Sequence, residues 1–392
     1  MTNDVPNSTD PATRAANFIL HNQEAFDQAV GLIRQNQVRE GCRILLDRQN
    51  QFFGMDFRLL DVGMLLWQSD FPDEAILIFR HALDSDDGDL EVLTTLARSL
   101  IHLKRWDEMI PFLERLRELQ PDETEWDSNL AASKMFSATD VFALSYPKCG
   151  RTWARLVLGT YALNGAGGDP LEVYHITKND PGLSTLNFTH DDYPHWKPFT
   201  AIHTDKSMYK GKKVVFFVRD PRDVLVSYFF QYTLRGDRKF ANDPDFDGSL
   251  SDFIHYPIGG LQSIVRFYNV WADKRGVPDE FLLMRYEDMH ADPLAAYKNL
   301  IGFIGWPDHG DGALAAAVAF GDFDNMKMLE RNNTLNSVRL KPPEDDNPEG
   351  FKVRRGKVGG YVDYFSEDDT AFVNDYLERE LDDFYGAYKS AP

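Results

Sequence analysis

The sequence predicts an α/β fold, a mainly parallel sheet with helices on both faces, preceded by an all-α region of helical repeats. Three observations carry this. Residues 17–136 show helical periodicity and almost no β-branched runs. Within them Glu40, Glu74 and Glu108 recur at intervals of 34. From Val141 onward short apolar runs alternate with helical patterns, as in a parallel sheet covered on both sides.

Taken in order, residues 1–15 are polar and read as a flexible tail, and residues 16–136 as one helical domain. At a fixed offset from the three glutamates stand Gly41, Ala75 and Met109, then Leu45, Phe79 and Leu113. A period of 34 is that of tetratricopeptide (TPR) repeats, pairs of antiparallel helices that stack on one another. The second unit fits best, with Ala75, Phe79, Ala82 and Leu83 at its packing positions; Pro121 falls where a closing proline belongs. Residues 123–140 are polar and acidic and read as a transition. The second domain spans residues 141–392, with extended runs at 141–145, 184–189, 214–218 and 280–284 and helices from about Thr152 and Arg222. Residues 341–350, rich in proline and acid, read as a loop.

Composition narrows the partners. The chain has 392 residues, 43% of them apolar, and a formal net charge of −20. Such a charge argues against nucleic acid or an anionic membrane as the main partner. It leaves room for a small phosphorylated ligand in a focused basic pocket, and basic residues are locally dense at Arg219/Arg222 and at 352–357. Lys210, Lys212 and Lys213 read as a solvated loop, and the polar, basic run 206–213 as a surface connection into the next strand. No stretch is long enough for a transmembrane span and the N-terminus lacks a signal-peptide pattern. Two cysteines, Cys42 and Cys149, fit a reducing compartment, so the expected location is the cytoplasm.

Two segments carry chemistry. The first runs Leu144-Ser145-Tyr146-Pro147-Lys148-Cys149-Gly150-Arg151-Thr152-Trp153 between a strand and a helix. Pro147 stops the strand, Gly150 permits a tight turn, and the helix aims its free N–H groups and Lys148 at an anion. It lacks the Walker A pattern. Cys149 reads either as an acidified, oxidant-sensitive thiol or as an inert buried one. The second is the strand 214–218 followed by Arg219-Asp220-Pro221-Arg222-Asp223 and Ser227. Arg219 stands at a strand's carboxyl end, poised for bidentate contact with a phosphate, and Ser227 lies further along the next helix. Asp220 and Asp223 read as caps or partners of Arg222.

These segments resemble the 5′-phosphosulfate loop (usually Y-P-K-S-G-T-T-W) and the 3′-phosphate motif of sulfotransferases that use 3′-phosphoadenosine 5′-phosphosulfate (PAPS), of the cytosolic and bacterial type. Two further stretches agree: Met284-Arg285-Tyr286-Glu287-Asp288-Met289 with Asp292-Pro293, and Phe351-Lys352-Val353-Arg354-Arg355-Gly356-Lys357-Val358-Gly359. The resemblance covers 141 to the C-terminus and implies a P-loop-like sulfotransferase fold and transfer of a sulfuryl group from PAPS to a hydroxyl acceptor, without a metal. It implies Lys148 as the catalytic lysine. Cys149, Gly150, Arg151, Thr152 and Trp153 would line the cofactor, with Trp153 against the adenine. Arg219, Ser227 and Arg354 would hold the 3′-phosphate, Tyr286 would contact the nucleotide, and Arg355 and Gly356 would complete the loop over it. Cys149 and Arg151 depart from the usual serine and threonine, and Gly360-Tyr361 from the usual Asp-Trp. The family's dimerisation signature is not recognisable.

Removing the acceptor's proton requires a base. Thr189-His190 matches the family's Thr-His segment and makes His190 the first candidate; His203 is the rival, with His175 or His195 behind. The acceptor itself stays open among a glycan, a peptide and a small alcohol or phenol, and the TPR-like region suggests a protein partner or a large acceptor. The alternative reading is a TPR scaffold with a degenerate transferase domain.

Overall fold

The computed structural model describes residues 10–53, 57–236, 246–343 and 347–389. They fall into two compact units, Met1–Ala138 and Thr139–Pro392.

The described part of the first unit consists of α1 (Pro11–Arg34), α2 (Val38–Phe53), α3 (Leu59–Gln68), α4 (Pro72–Leu83), α5 (Leu90–His102), α6 (Trp106–Leu119) and α7 (Asp127–Ser137). They pair as α1 with α2, α3 with α4, and α5 with α6. The 34-residue period is written into the backbone. Asn36, Asp70 and Lys104, each 34 after the last, follow α1, α3 and α5 in the left-handed region, with φ of 64°, 67° and 55°. The next amide in each case donates to the carbonyl of Leu32, Leu66 or Leu100, at 2.9, 3.0 and 3.0 Å. These are Schellman caps, and they turn each first helix into its partner. Close packing then explains Gly63: a Cβ there would lie 2.3 Å from the ring of Phe79, which is fully buried.

Two expectations are corrected here. Residues 1–9 lie outside the described residues, but Pro11–Ala15 are helical rather than tail, because the Asp10 side chain caps α1 by accepting from the Thr13 amide at 2.9 Å. The acidic transition contains α7, because its few apolar residues are well placed: Trp126 and Leu130 are buried in the core of the repeats.

In the described part of the second unit four parallel strands, β1 (Val141–Ser145), β2 (Leu186–Thr189), β3 (Lys213–Val218) and β4 (Glu280–Arg285), lie in the order β2-β1-β3-β4. β1 is buried throughout and β3 from Val214 on, as strands covered on both faces must be. The helices of this part are α8 (Arg151–Leu163), α9 (Val173–Asn179), α10 (Pro221–Leu234), α11 (Leu250–Ile254), α12 (Leu261–Lys274), α13 (Tyr286–Ala291), α14 (Pro293–Ile304), α15 (Asp311–Phe320), α16 (Phe323–Arg331) and α17 (Glu367–Glu380). After β1 the chain goes to one side for β2 and to the other for β3. This reversal leaves a crevice at the carboxyl ends of β1 and β3. The described part of 341–350 is loop with a short 3-10 turn, Pro348–Gly350.

The basic run before β3 is not all surface. Lys206 pairs with Asp191 at 2.7 Å, both side chains within 2% of full burial. Asp191 also accepts from Trp271 Nε1 and the Tyr209 hydroxyl, each at 2.9 Å. A buried carboxylate held on three sides fixes the chain directly after β2.

Candidate active site

At the end of β1 the chain makes a tight turn through two left-handed residues, Lys148 (φ 72°) and Gly150 (φ 88°). Gly150 is required twice over, since a Cβ would also come within 2.9 Å of the Tyr286 ring. Lys148 has no such freedom, and a lysine held there stores strain at the head of α8. Its ammonium lies 3.4 Å from Gln231 Oε1 on α10.

The side chain of Cys149, expected to line the cofactor, stays out of the crevice. Its side chain turns into the core, fully buried, with Sγ 3.4 Å from the Tyr268 hydroxyl. Burial pushes the thiol up to about 12, so neither Lys148 nor the helix end makes it reactive. The same Tyr268 hydroxyl accepts from the Arg219 amide at 3.0 Å and donates to the Arg219 carbonyl at 2.9 Å. One phenol thus joins the turn after β1 to the turn after β3.

Asp223 and Ser227, four residues apart, share the face of α10 that looks into the crevice, and Arg219 lines it from the turn just before the helix. Arg219 donates to Asp223 at 3.1 Å and to the Lys357 carbonyl at 2.8 Å, and its guanidinium lies over the Tyr286 ring at 4.4 Å. Asp220 caps α10 and pairs with Arg222 as expected. Asp223 does something the sequence did not reveal. Its carboxylate accepts from the amides of Gly359 and Tyr361, both at 2.9 Å, and so pins the C-terminal loop to α10. Glu330 pins the loop's other end by accepting from the amides of Lys352 and Val353, both at 2.7 Å. A carboxylate is no rarer in either place than at any helix, so only the fold identifies these two.

Within the loop, Gly356 has φ of 61°, and a Cβ would lie 2.4 Å from the Phe323 ring. Arg354 donates to Glu349 at 2.5 Å and to the Tyr364 hydroxyl. Arg355 pairs with Asp363 at 2.9 Å. Trp153 sets its edge against Tyr286 and Tyr297, centroids 5.9 Å apart in each case.

The crevice is a cavity of about 530 Å³. It gathers the expected residues of all four sequence segments apart from Cys149. His190 also lines it, directly after β2. The His190 Nδ1–H donates to the Ser145 carbonyl at 2.9 Å, which fixes the tautomer and leaves the lone pair on Nε2; Arg151 donates to that atom. Burial, then the charge of Arg151, hold His190 well below the usual imidazole range. His195 lies beside it, rings 4.9 Å apart, and also lines the cavity. His203 and His175 do not: His203 sits in the loop held by Lys206, and His175 is exposed on α9 near Glu172.

The chain is similar to known proteins in both of its units. The tetratricopeptide repeat family matches residues 66–132, and the sulfotransferase domain matches residues 138–385. Cytosolic sulfotransferase 17 of Arabidopsis thaliana is 25% identical, over 74% of this chain and 87% of its own length. Human sulfotransferase 2B1 is 29% identical, over 58% of this chain and 62% of its own length. Among solved structures, mouse sulfotransferase SULT7A1 complexed with PAP is 22% identical, covers 65% of this chain and 91% of that one, and superposes with a TM-score of 0.46. The chain is a TPR-containing enzyme that belongs to the sulfotransferase family.

Proposed function

We propose that the chain moves the sulfuryl group of PAPS to a hydroxyl acceptor and releases 3′,5′-ADP. The observation that carries this is the charge of the cavity. Among the described residues seven Lys and Arg side chains and two Asp line it, in a protein of net charge −20. The cavity also suits a nucleotide in detail. Gly150 and Gly356 leave room where a Cβ would not fit, and Arg219 Nε and Trp153 Nε1 are buried with no partner among the described residues.

In this reading Arg219, Ser227 and Arg354 hold the 3′-phosphate, and Trp153 and Tyr286 the adenosine. Arg355 and Gly356 cover it. Gly150, Arg151 and Thr152 at the head of α8 face the phosphosulfate. As the sulfur–oxygen bond to the phosphate breaks, negative charge grows on the leaving oxygen, and Lys148 neutralises it. The acceptor oxygen forms the new bond to sulfur and its proton passes to His190 Nε2. His190 suits the role because burial keeps it neutral and Ser145 orients it.

Among the described residues no helix is long and apolar enough to cross a membrane. Together with the cytosolic naming of the Arabidopsis relative, this supports placing the protein in the cytoplasm. The helical-repeat unit is the natural place for a protein partner or a large acceptor.

The test is transfer of labelled sulfate from PAPS in an acceptor screen. Lys148→Ala should lower turnover by roughly 10²–10³-fold while 3′,5′-ADP still binds. Unchanged turnover in that variant would remove Lys148 from the mechanism.

A further inference from the structure

The two ends of the cavity differ in how their cations are used. Both aspartates are committed, Asp223 to Arg219 and the loop amides, and Asp322 to the Asn325 amide as cap of α16. Four cations serve the nucleotide end in the reading above, Lys148, Arg219, Arg354 and Arg355, and Lys357 lines the cavity from the same loop as the last two. Arg151, which faces the sulfuryl side of the phosphosulfate in that reading, and Lys352, whose ammonium also donates to the Arg339 carbonyl at 2.7 Å, stand with His190 and His195 at the other end.

Arg151 is only half used. One of its terminal nitrogens donates to His190 Nε2, while Nη1 is buried with no partner among the described residues. His195, 2% exposed, keeps its Nδ1 buried and without a partner in the same way. Among the described residues no carboxylate lines this end. Burial pushes the Arg151 guanidinium down to about 9, which still leaves it charged near neutral pH. A half-satisfied cation in a water-poor pocket is costly, and a second oxyanion relieves it. Beside this group Tyr193 and Trp196 stack in parallel, centroids 4.5 Å apart, and present an aromatic face.

We infer that Arg151, supported by Lys352, is the anion-binding element of an acceptor subsite, and that the acceptor is a hydroxyl compound bearing an oxyanion group, of which a hydroxycarboxylate is the simplest. The inference rests on the transfer reading above. It also ties recognition to chemistry. An oxyanion that draws Arg151 toward itself uncovers His190 Nε2, which then accepts the hydroxyl proton as the new sulfur–oxygen bond forms.

The experiment is calorimetric binding of 4-hydroxybenzoate and its neutral counterpart 4-hydroxybenzamide to the full chain saturated with 3′,5′-ADP. The acid should bind roughly tenfold tighter or more than the amide, the scale of a charged hydrogen bond. In Arg151→Thr the preference should vanish, while 3′,5′-ADP affinity stays within about threefold. Arg151→Lys should keep part of it. Lys352→Gln should lower it by roughly threefold, an independent check should Arg151→Thr fail to fold. No preference in the wild type, or one that survives in Arg151→Thr, overturns the inference. So does a fall in 3′,5′-ADP affinity in folded Arg151→Thr as steep as that for the acid, which would assign Arg151 to the nucleotide. If 3′,5′-ADP fails to bind the wild-type chain, the transfer reading falls and the subsite with it. If it binds without an acid preference, the subsite alone falls.

Discussion

The helical-repeat unit and the transferase unit use unusual backbone in opposite ways. In the first, left-handed residues recur with the period of the sequence, at Asn36, Asp70 and Lys104, and each does the same work of ending a helix. In the second, Lys148 and the consecutive run Asp191, Asp192 and Tyr193 are left-handed at the ends of β1 and β2, where the cavity opens. Buried nitrogens without a partner among the described residues occur in both units, but those on Arg151, Trp153, His195 and Arg219 line the cavity. The repeat satisfies its own backbone locally. The transferase keeps strain and unmet hydrogen bonds where a ligand is to supply what is missing.

The comparison is broken most severely by removing His190. His190→Ala should cut kcat by roughly 10²-fold or more, with PAPS affinity almost unchanged. The loss should shrink for acceptors with more acidic hydroxyls, which need less help to lose a proton. Near-normal kcat in this variant, with a crippled His195→Ala, would move the base to the neighbouring ring.

Next in size is the loop anchor. Asp223→Ala removes the acceptor of two loop amides and the partner of Arg219. Each lost bond to a charged group is worth about 1.5–3 kcal/mol. Affinity for 3′,5′-ADP should therefore fall at least about tenfold. Hydrogen exchange should quicken at 357–361 while the amides of α3 to α6 stay as they were. Equal protection of the loop in wild type and variant would show that Asp223 is a mere cap.

These two residues also mark what the sequence could and could not disclose. The TPR-like period was legible because the same packing and the same cap recur in a short local pattern. β1 was legible to the residue, because a buried strand bounded by polar residues and Pro147 has little freedom. Lys148, Arg219 and His190 could be read as lining one cavity because they sit at strand ends. Asp223 was misread because its partners lie 136 and 138 residues away. Glu330 was missed for the same reason, and Cys149 was placed on the wrong side of its turn. A one-dimensional pattern records which residues flank a strand; it does not record which way an isolated side chain turns.

The buried histidines give a pH test. His190 and His195 are both held below the ordinary 6.5, first by burial. The unfolded chain therefore binds protons more readily than the folded one. The stability linked to these rings is present above about pH 6.5 and is lost as pH falls toward their folded values. Each ring should contribute a slope of up to about 1.4 kcal/mol per pH unit. Amide protection in β1 and β3 should weaken from pH 7 to pH 5, and His195→Gln should flatten the dependence. A rise in protection on acidification would contradict the assignment.

The smallest effect belongs to the repeat, where strain carries no chemistry. Asp70 is exposed, left-handed and at the C-terminal end of α3. It is unfavourable there on two counts: a side chain costs about 1 kcal/mol in this conformation, less for aspartate than for most, and its negative charge meets the negative end of the helix dipole. Asp70→Asn removes only the charge and should add a few tenths of a kcal/mol, about 0.3 at low salt. Asp70→Gly removes both, but glycine also loosens the unfolded chain. The net gain should stay under about 1 kcal/mol, visible as a small rise in the Tm of the repeat unit with turnover unchanged. The ordering of Gly above Asn above Asp is the point of the measurement. If both variants destabilise, the Asp70 carboxylate is making a contact that outweighs its backbone strain, and the repeat is not free of the compromise that Lys148 represents in the transferase.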